Sequence, residues 1–97
     1  MIISFGDRAT EELYHNRPTN RARRFPPDIV GLALVKMDML NGAAAPLDLR
    51  SPPGNRLEAL KGDLKGYHSI RVNERWRLVF RWEGNNAHAV RLIDYHK

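Results

Sequence analysis

The sequence contains no cysteine. A disulfide bond, a thiolate zinc site and a cysteine nucleophile are therefore excluded, and the absence slightly favours a reducing compartment. Long apolar runs are also missing, since none approaches the ~20 residues that cross a bilayer. The first residues lack the basic and apolar regions of a secretory signal peptide. We therefore expect a cytoplasmic protein that makes no contact with a membrane.

Motifs for metal or cofactor binding are equally scarce. No two histidines or carboxylates show metal-ligand spacing, and neither a glycine-rich phosphate loop nor a Ser/His/Asp arrangement is present. With 97 residues, the chain has room for one core. We therefore expect a single domain over residues 1–97, with no metal and no organic cofactor.

Acidic residues are fewer than basic residues. The chain has 11 Asp and Glu residues and 16 Lys and Arg residues, which gives a net charge of +5. The excess is concentrated in residues 55–97, which hold nine basic and five acidic side chains, against seven and six in residues 1–54. Twelve of the 16 cations are arginine, whose planar guanidinium suits phosphate groups and base stacking. The composition favours a polyanionic partner, although many small basic proteins never bind nucleic acid.

The first half of the chain has helical patterns. Asp7 is a suitable N-cap for a first helix, and Pro27 begins a second helix that Gly42 can end, unless residues 43–45 add a turn. Alternation typical of strands fills the second half. The predicted strands are residues 1–5, 56–60, 67–72, 75–82 and 87–95, with a linker lacking regular structure at residues 46–54. This order indicates an α+β fold, in which two N-terminal helices pack on one face of a mainly antiparallel sheet.

Strand alternation assigns basic residues to the sheet face turned away from the helices. Three neighbouring strands and the turn before them are expected to contribute cations to it. The candidate RNA-binding residues are Lys61, Lys65, Arg71, Arg77, Arg81 and Arg91. Such a surface suits phosphate binding and the neutralisation of charge that develops during phosphoryl transfer. The alternative interpretation is a solvated sheet face that discourages edge pairing.

The C-terminal segment Asp94-Tyr95-His96 adds titratable groups to this basic region. An imidazole can transfer a proton near neutral pH, and a tyrosine can stack on a splayed base or donate to a phosphate. Strict alternation places Asp94 and His96 on the helix-covered side of the last strand. They reach the arginine face only if that strand ends, bulges or twists near Ile93.

Two further titratable residues lie in the predicted strands. Glu58 is either an acid/base group or the partner of a nearby arginine. His68 has the parity of Ile70 and Val72, so it is predicted to be a partly buried structural histidine.

Four segments carry a more specific signal. They are RLEALKGD at residues 56–63, SIRVN at 69–73, WRLVFR at 76–81 and DYH at 94–96. Together with the chain length and the Met-Ile-x-Ser-Phe opening, they resemble the HigB family, the "host inhibition of growth" toxins of the RelE/ParE superfamily. The resemblance covers nearly the whole chain.

The resemblance implies two helices on a curved antiparallel sheet and a bacterial toxin that cleaves translated mRNA in the ribosomal A site. In that reaction, the 2′-hydroxyl attacks the neighbouring phosphate without a metal. The implied partners are mRNA on the small ribosomal subunit and a HigA-like helix-turn-helix antitoxin. Operator DNA would be bound only through the antitoxin complex.

The resemblance also implies roles for individual residues. Lys61 and Arg77 would steady the phosphate, Tyr95 would stack on or pin the substrate, and Asp94 and His96 would transfer or orient a proton. The predicted catalytic residues are therefore Glu58, Arg77, Asp94, Tyr95 and His96.

Two positions depart from the pattern of the relatives. Some relatives have histidine where Glu58 stands, so a carboxylate with a different ordinary pKa replaces an imidazole here. Some have arginine where Asn73 stands, and Arg71 or Arg75 is the candidate substitute.

Two alternatives therefore stay open. One is a non-cleaving RNA- or protein-binding module, which Glu58 favours; the other is a ParE-like gyrase inhibitor, which the Asp-Tyr-His ending argues against.

Overall fold

The computed structural model describes residues 1–95. Two helices precede four strands along the chain, and short 3-10 helices lie in the connections. The elements are α1 (Arg8–Tyr14), α2 (Pro27–Gly42), β1 (Glu58–Ala59), β2 (Tyr67–Arg71), β3 (Trp76–Glu83) and β4 (Asn86–Asp94). The strands form one sheet in the order β1-β2-β3-β4, and every neighbouring pair is antiparallel. The predicted α+β class is confirmed.

Both helices begin where their capping residues predict. Asp7 is extended, and its Oδ1 accepts a hydrogen bond from the backbone N of Thr10 at 2.8 Å, which satisfies a free N–H in the first turn of α1. Pro27 occupies the first turn of α2, where its missing N–H costs no hydrogen bond. The helix ends at Gly42, as predicted, and Ala43 is extended, so the alternative of an additional turn at residues 43–45 is excluded.

The core lies between α2 and one face of the sheet. The sequence spacing predicts a buried face of α2 made by Ile29, Leu32, Ala33, Lys36, Met37 and Leu40. All of these are buried except Leu32, which is 43% exposed. The largest fully buried side chains include Met37, Leu40, Ile70, Leu78, Phe80 and Val90. Each contributes about 1.5–3 kcal/mol by leaving water. Among residues 1–95, no helix is long and apolar enough to cross a membrane.

A β-bulge interrupts the alternation of β4. Val79 pairs with Arg91 and Arg81 pairs with His88, so β4 has one residue more than β3 in this interval. Ala89 has a left-handed φ of 53°, and the buried residues change from odd to even parity between Ala87 and Val90. The bulge therefore lies before Arg91 and leaves the remainder of β4 in register.

Three predicted segments differ from the structure. Residues 1–5 form no strand, because only Ile2 and Phe5 make isolated parallel bridges to β4. Residues 46–54 are not an irregular linker, since Pro46–Arg50 and Pro53–Asn55 are 3-10 helices and Asp48 Oδ2 accepts from the backbone N of Ala44 at 2.8 Å. The predicted strand at 56–60 is only Glu58–Ala59, because Arg56 has a left-handed φ of 46°.

Candidate functional site

The strand register brings the predicted arginines onto the outer face, which we define as the sheet face away from the helices. Arg71 lies opposite Arg77, Tyr67 lies opposite Arg81, and Val79 lies opposite Arg91. Residues directly opposite one another in a sheet share a face. The alternation of the sequence therefore placed these four arginines correctly.

The pairing of Arg71 with Arg77 is electrostatically unfavourable. Like charges directly opposite in an antiparallel pair destabilise the sheet by a few tenths of a kcal/mol or more. Both side chains are only partly exposed, which increases the repulsion because water screens it less. Such a pair gains stability when an anion binds between the two guanidinium groups.

Arg77 is held in place by its own turn and by the C-terminal segment. Its Nη1 donates to the backbone O of Asn73 and, at 3.2 Å, to the backbone O of Trp76. Its guanidinium carbon lies 5.4 Å from the centre of the Tyr95 ring, within the range of a cation–π interaction. The guanidinium is therefore oriented before any ligand arrives.

A hollow of ≈370 Å³ joins Arg77 to β1. Its lining residues are Arg56, Leu57, Glu58 and Arg77. Glu58 is exposed at the edge of the sheet, so its carboxylate faces solvent within the same hollow as the Arg77 guanidinium. A proton acceptor and an anion-binding group are thus adjacent, as an attack by a hydroxyl on a phosphate requires.

Asp94 and Tyr95, at the end of β4, contact different residues. Tyr95 reaches Arg77, whereas Asp94 lies opposite Trp76 and forms an ion pair with Arg75, with 2.7 Å between Asp94 Oδ2 and Arg75 Nη2. The strand continues in register to Asp94, so the turn or bulge required near Ile93 is absent. Asp94 and Tyr95 nevertheless line a common hollow of ≈560 Å³. The predicted catalytic His96 lies outside the described residues.

The other predicted cations lie at separate positions on the sheet and its connections. Lys61 and Lys65 flank the 3-10 helix Gly62–Leu64 and are exposed. Arg81 donates to Glu83 Oε1 at 3.1 Å, and this hydrogen bond raises the pKa of the guanidinium. Arg91 covers Gly6, where an added Cβ atom would lie 2.3 Å from Arg91 Cγ. The structure thus brings together Glu58, Arg71, Arg77 and Tyr95, and it places the other four cations at other positions.

The middle of the outer face is closed to solvent. Ser69 and Val79, which face away from the helices, are 1% and 0% exposed. The expectation of an uncovered face is therefore wrong at its centre.

A sequence model of the family described as "RelE-like toxin of type II toxin-antitoxin system HigB" matches residues 3–96. The chain belongs to this family. Toxin HigB-1 of Vibrio cholerae serotype O1 is 44% identical over 97 residues, which cover 100% of this chain and 99% of that protein. Endoribonuclease HigB of Proteus vulgaris is 31% identical over 102 residues, which cover 99% of this chain and 100% of that protein. The resemblance to HigB toxins is confirmed.

Solved structures share the fold of this HigB-family toxin. A chain of the YoeB–YefM complex from Staphylococcus aureus has a TM-score of 0.62 at 18% identity and covers 100% of this chain and 99% of its own length. A YafQ mutant from E. coli has a TM-score of 0.64 at 15% identity, with coverages of 97% and 93%. At these identities, the similarity concerns the fold alone.

Asn73, the position at which the resemblance to some relatives implies an arginine, has a structural role here. Asn73 Oδ1 accepts from the backbone N atoms of Arg75 and Trp76, both at 2.8 Å, so its side chain closes the β2–β3 turn. The backbone O of the same residue holds Arg77. Of the two candidate substitutes for the absent arginine, Arg75 is engaged by Asp94, whereas Arg71 faces Arg77.

Sequence reasoning missed Arg56 as a member of the site. Its left-handed backbone turns the chain into the hollow shared with Glu58 and Arg77. No residue-type signal predicted this, because arginine rarely adopts a positive φ.

His68 matches its prediction in being half-buried, and it stacks on Phe80 with 5.9 Å between ring centres. Within residues 1–95, no group of three histidine, aspartate or glutamate side chains forms a metal site.

Proposed function

We propose that this HigB-family toxin is an endoribonuclease that cleaves translated mRNA in the ribosomal A site. The observation that carries this function is the contact of Arg77 with both Tyr95 and the Glu58 hollow. The Arg77 guanidinium contacts the Tyr95 ring and shares a hollow with the Glu58 carboxylate, which supports roles for these three groups in phosphate binding, base stacking and proton transfer. The name of the Proteus vulgaris relative, Endoribonuclease HigB, supports the same activity.

In the proposed reaction, the 2′-oxygen of a nucleotide attacks its own 3′-phosphorus, and the bond from phosphorus to the 5′-oxygen of the next nucleotide breaks. The products are a 2′,3′-cyclic phosphate and a 5′-hydroxyl. Arg77 and Arg71 stabilise the negative charge that accumulates on the phosphorane oxygens. Tyr95 stacks on the base next to the scissile bond and fixes its position.

Two protons move in this reaction, one leaving the 2′-hydroxyl and one reaching the 5′-oxygen. Glu58 is the candidate acceptor, because its carboxylate shares the hollow of Arg77. His96 and Asp94 are the candidates for the second transfer, with Asp94 linked to the site through its neighbour Tyr95. Lys61, Lys65, Arg81 and Arg91 bind phosphates on either side of the cleaved nucleotide.

The proposed partners follow from the family. An antitoxin, expected to be a HigA-like helix-turn-helix protein, holds the toxin inactive and carries the complex to operator DNA. The YoeB–YefM complexes of Staphylococcus aureus support pairing with an antitoxin in this fold. The small ribosomal subunit presents the mRNA, so we place the activity in the cytoplasm.

Mapping of mRNA 5′ ends on ribosomes after induction tests this function. Wild-type protein should create new 5′-hydroxyl ends within translated frames, and Arg77→Ala should abolish them. Arg23→Ala is the matched control, since Arg23 is an exposed arginine of the 3-10 helix Ala22–Arg24 on the helix side. Intact messages together with inhibited DNA supercoiling would assign the toxin to the gyrase-inhibiting branch instead.

A further inference from the structure

A second cationic hollow lies on the helix side of the sheet, away from the Arg77 site. It measures ≈390 Å³, and its lining residues are Asp7, Arg8, Ala9, Arg21, Arg24, Phe25, Trp76 and Leu92. Phe25 and Trp76 form its aromatic floor, with ring centres 5.7 Å apart and ring planes at 74°. Arg8 and Arg24 are exposed at its rim.

The rim is built on an anchored loop. Residues 17–24 contain four arginines and no acidic residue. From α1, the Glu12 carboxylate accepts from Thr19 Oγ1 at 2.8 Å and from Arg21 Nε and Nη2 at 3.0 and 2.8 Å. Thr19 Oγ1 in turn accepts from the backbone N of Ala22 at 3.1 Å, immediately before the rim. The loop that carries Arg24 is therefore held in one conformation.

The charged side chains that line the hollow differ in whether they already have a partner. Glu12 neutralises Arg21, and Asp7 Oδ1 is occupied by the N–H of Thr10. Within the described part of the chain, neither Arg8 nor Arg24 forms an ion pair. An anion should therefore bind to Arg8 and Arg24, whose charges no ion pair neutralises among the described residues.

We propose that this hollow binds one unstacked nucleotide of single-stranded RNA. The base stacks on the partly exposed ring of Trp76, which the buried ring of Phe25 supports at 74°, and the adjoining phosphate is bound by Arg24 and Arg8. Aromatic floors accept any base because every base has a π-face, and arginine forks suit phosphate oxygens. An acidic peptide would satisfy the two cations but would leave the aromatic floor without a planar partner.

The hollow is separate from the cleavage site. Trp76 and Arg77 are neighbours in β3, so their side chains point to opposite faces of the sheet. RNA that passes around this end of β3 can contact both. This inference rests on the proposed function only because it takes RNA as the polyanion. In it, the hollow binds the RNA strand and takes no part in its cleavage.

Fluorescence of Trp76 tests the proposal directly. The chain has two tryptophans, so Trp76 is the only one in a Trp82→Phe background. The probe is a short single-stranded RNA with 2′-O-methyl riboses, which removes the attacking hydroxyl. We expect RNA binding to quench Trp76 emission, and the Arg8→Ala/Arg24→Ala pair to weaken that binding about tenfold.

The matched control removes the same amount of charge, both arginines coming from the loop that carries Arg24. Arg17 and Arg23 line a different hollow, with Pro18 and Val30, so Arg17→Ala/Arg23→Ala should weaken binding less than about threefold. Equal weakening by both pairs, or binding without quenching of Trp76, would overturn the proposal. Quenching by an aromatic-free acidic peptide, with none by RNA, would overturn it in favour of a protein partner.

Arg77→Ala in the same background separates this site from cleavage. This variant should keep the quenching of Trp76 by RNA and lose mRNA cleavage. Quenching of Trp76 together with an absence of mRNA cleavage in the chain that retains Arg77 would support the hollow and refute the proposed function. If the protein cleaves mRNA but its Trp76 fluorescence does not change when RNA binds, nucleotide binding in the hollow is refuted and the proposed function is not.

Discussion

The guanidinium carbon of Arg77 lies 5.4 Å from the centre of the Tyr95 ring, and its Nη1 also donates to the backbone O of Asn73 and Trp76. One planar group thus connects the β2–β3 turn to the C-terminal end of β4. A lysine ammonium cannot reproduce this arrangement, since it lacks the flat face and the fork of donors.

Replacing Arg77 tests whether the shape of this cation matters. We expect Arg77→Lys to lose most of the cleavage rate that Arg77→Ala loses, about 10²–10³-fold, because the lysine is not held over the phosphate. Single-turnover cleavage on programmed ribosomes measures this effect. A lysine variant within about threefold of wild type would indicate that Arg77 contributes charge alone.

Tyr95 is predicted to act through its ring. The cation–π contact with Arg77 and stacking on a base both use the aromatic face, whereas the hydroxyl is not needed for either. Tyr95→Phe should therefore keep cleavage within about threefold of wild type, and Tyr95→Ala should reduce it about tenfold or more. The same ribosomal cleavage assay distinguishes them. A Phe variant as impaired as the Ala variant would show that the phenol hydroxyl contacts the substrate.

Acid stability should depend on Glu12. Its hydrogen bonds from Arg21, and then from Thr19, lower the pKa of the carboxyl from 4.5 to about 2. The unfolded chain therefore binds this proton at higher pH than the folded chain does. The stability that Glu12 contributes is complete above pH 4.5 and is lost as the pH falls from 4.5 towards 2.

Urea unfolding of wild type and Glu12→Gln at a series of pH values checks this. The free energy of unfolding should differ most between the two proteins near neutral pH, and the curves should converge in acid. A difference that stays constant down to the lowest pH would mean that the Glu12 charge does not stabilise the loop.

The helices and the arginine face were predictable because local chemistry determines them. Asp7 is a capping residue, Pro27 suits a first turn, and alternate positions of β2 and β3 differ clearly in polarity. The bulge at Ala89 was not predictable, because it depends on the register of β4 against β3 and on the segment near Gly6. Arg56 was missed for a similar reason, since a buried neighbour imposes its left-handed turn.

That neighbour is Asn55, which is fully buried and anchors the chain before Arg56. Its Nδ2 donates to the backbone O of Leu49 at 3.1 Å, and its Oδ1 accepts from Nζ of Lys36, which is 8% exposed on α2. Asn55→Ala leaves a buried ammonium without this partner and should lower the free energy of unfolding by about 3 kcal/mol.

Lys36→Met removes the buried charge instead and leaves the bond from Asn55 Nδ2 to the backbone O of Leu49 intact. We expect it to cost only about 1 kcal/mol, and the double variant to cost less than the sum of the two. Urea unfolding of the four proteins completes the cycle. A Lys36→Met cost larger than that of Asn55→Ala would mean that the ammonium stabilises this segment through other contacts. If Lys36→Met costs less than Asn55→Ala, the position of Arg56 and Glu58 in the Arg77 hollow depends on Asn55. Asn55→Ala should then also slow cleavage, whereas Lys36→Met should not.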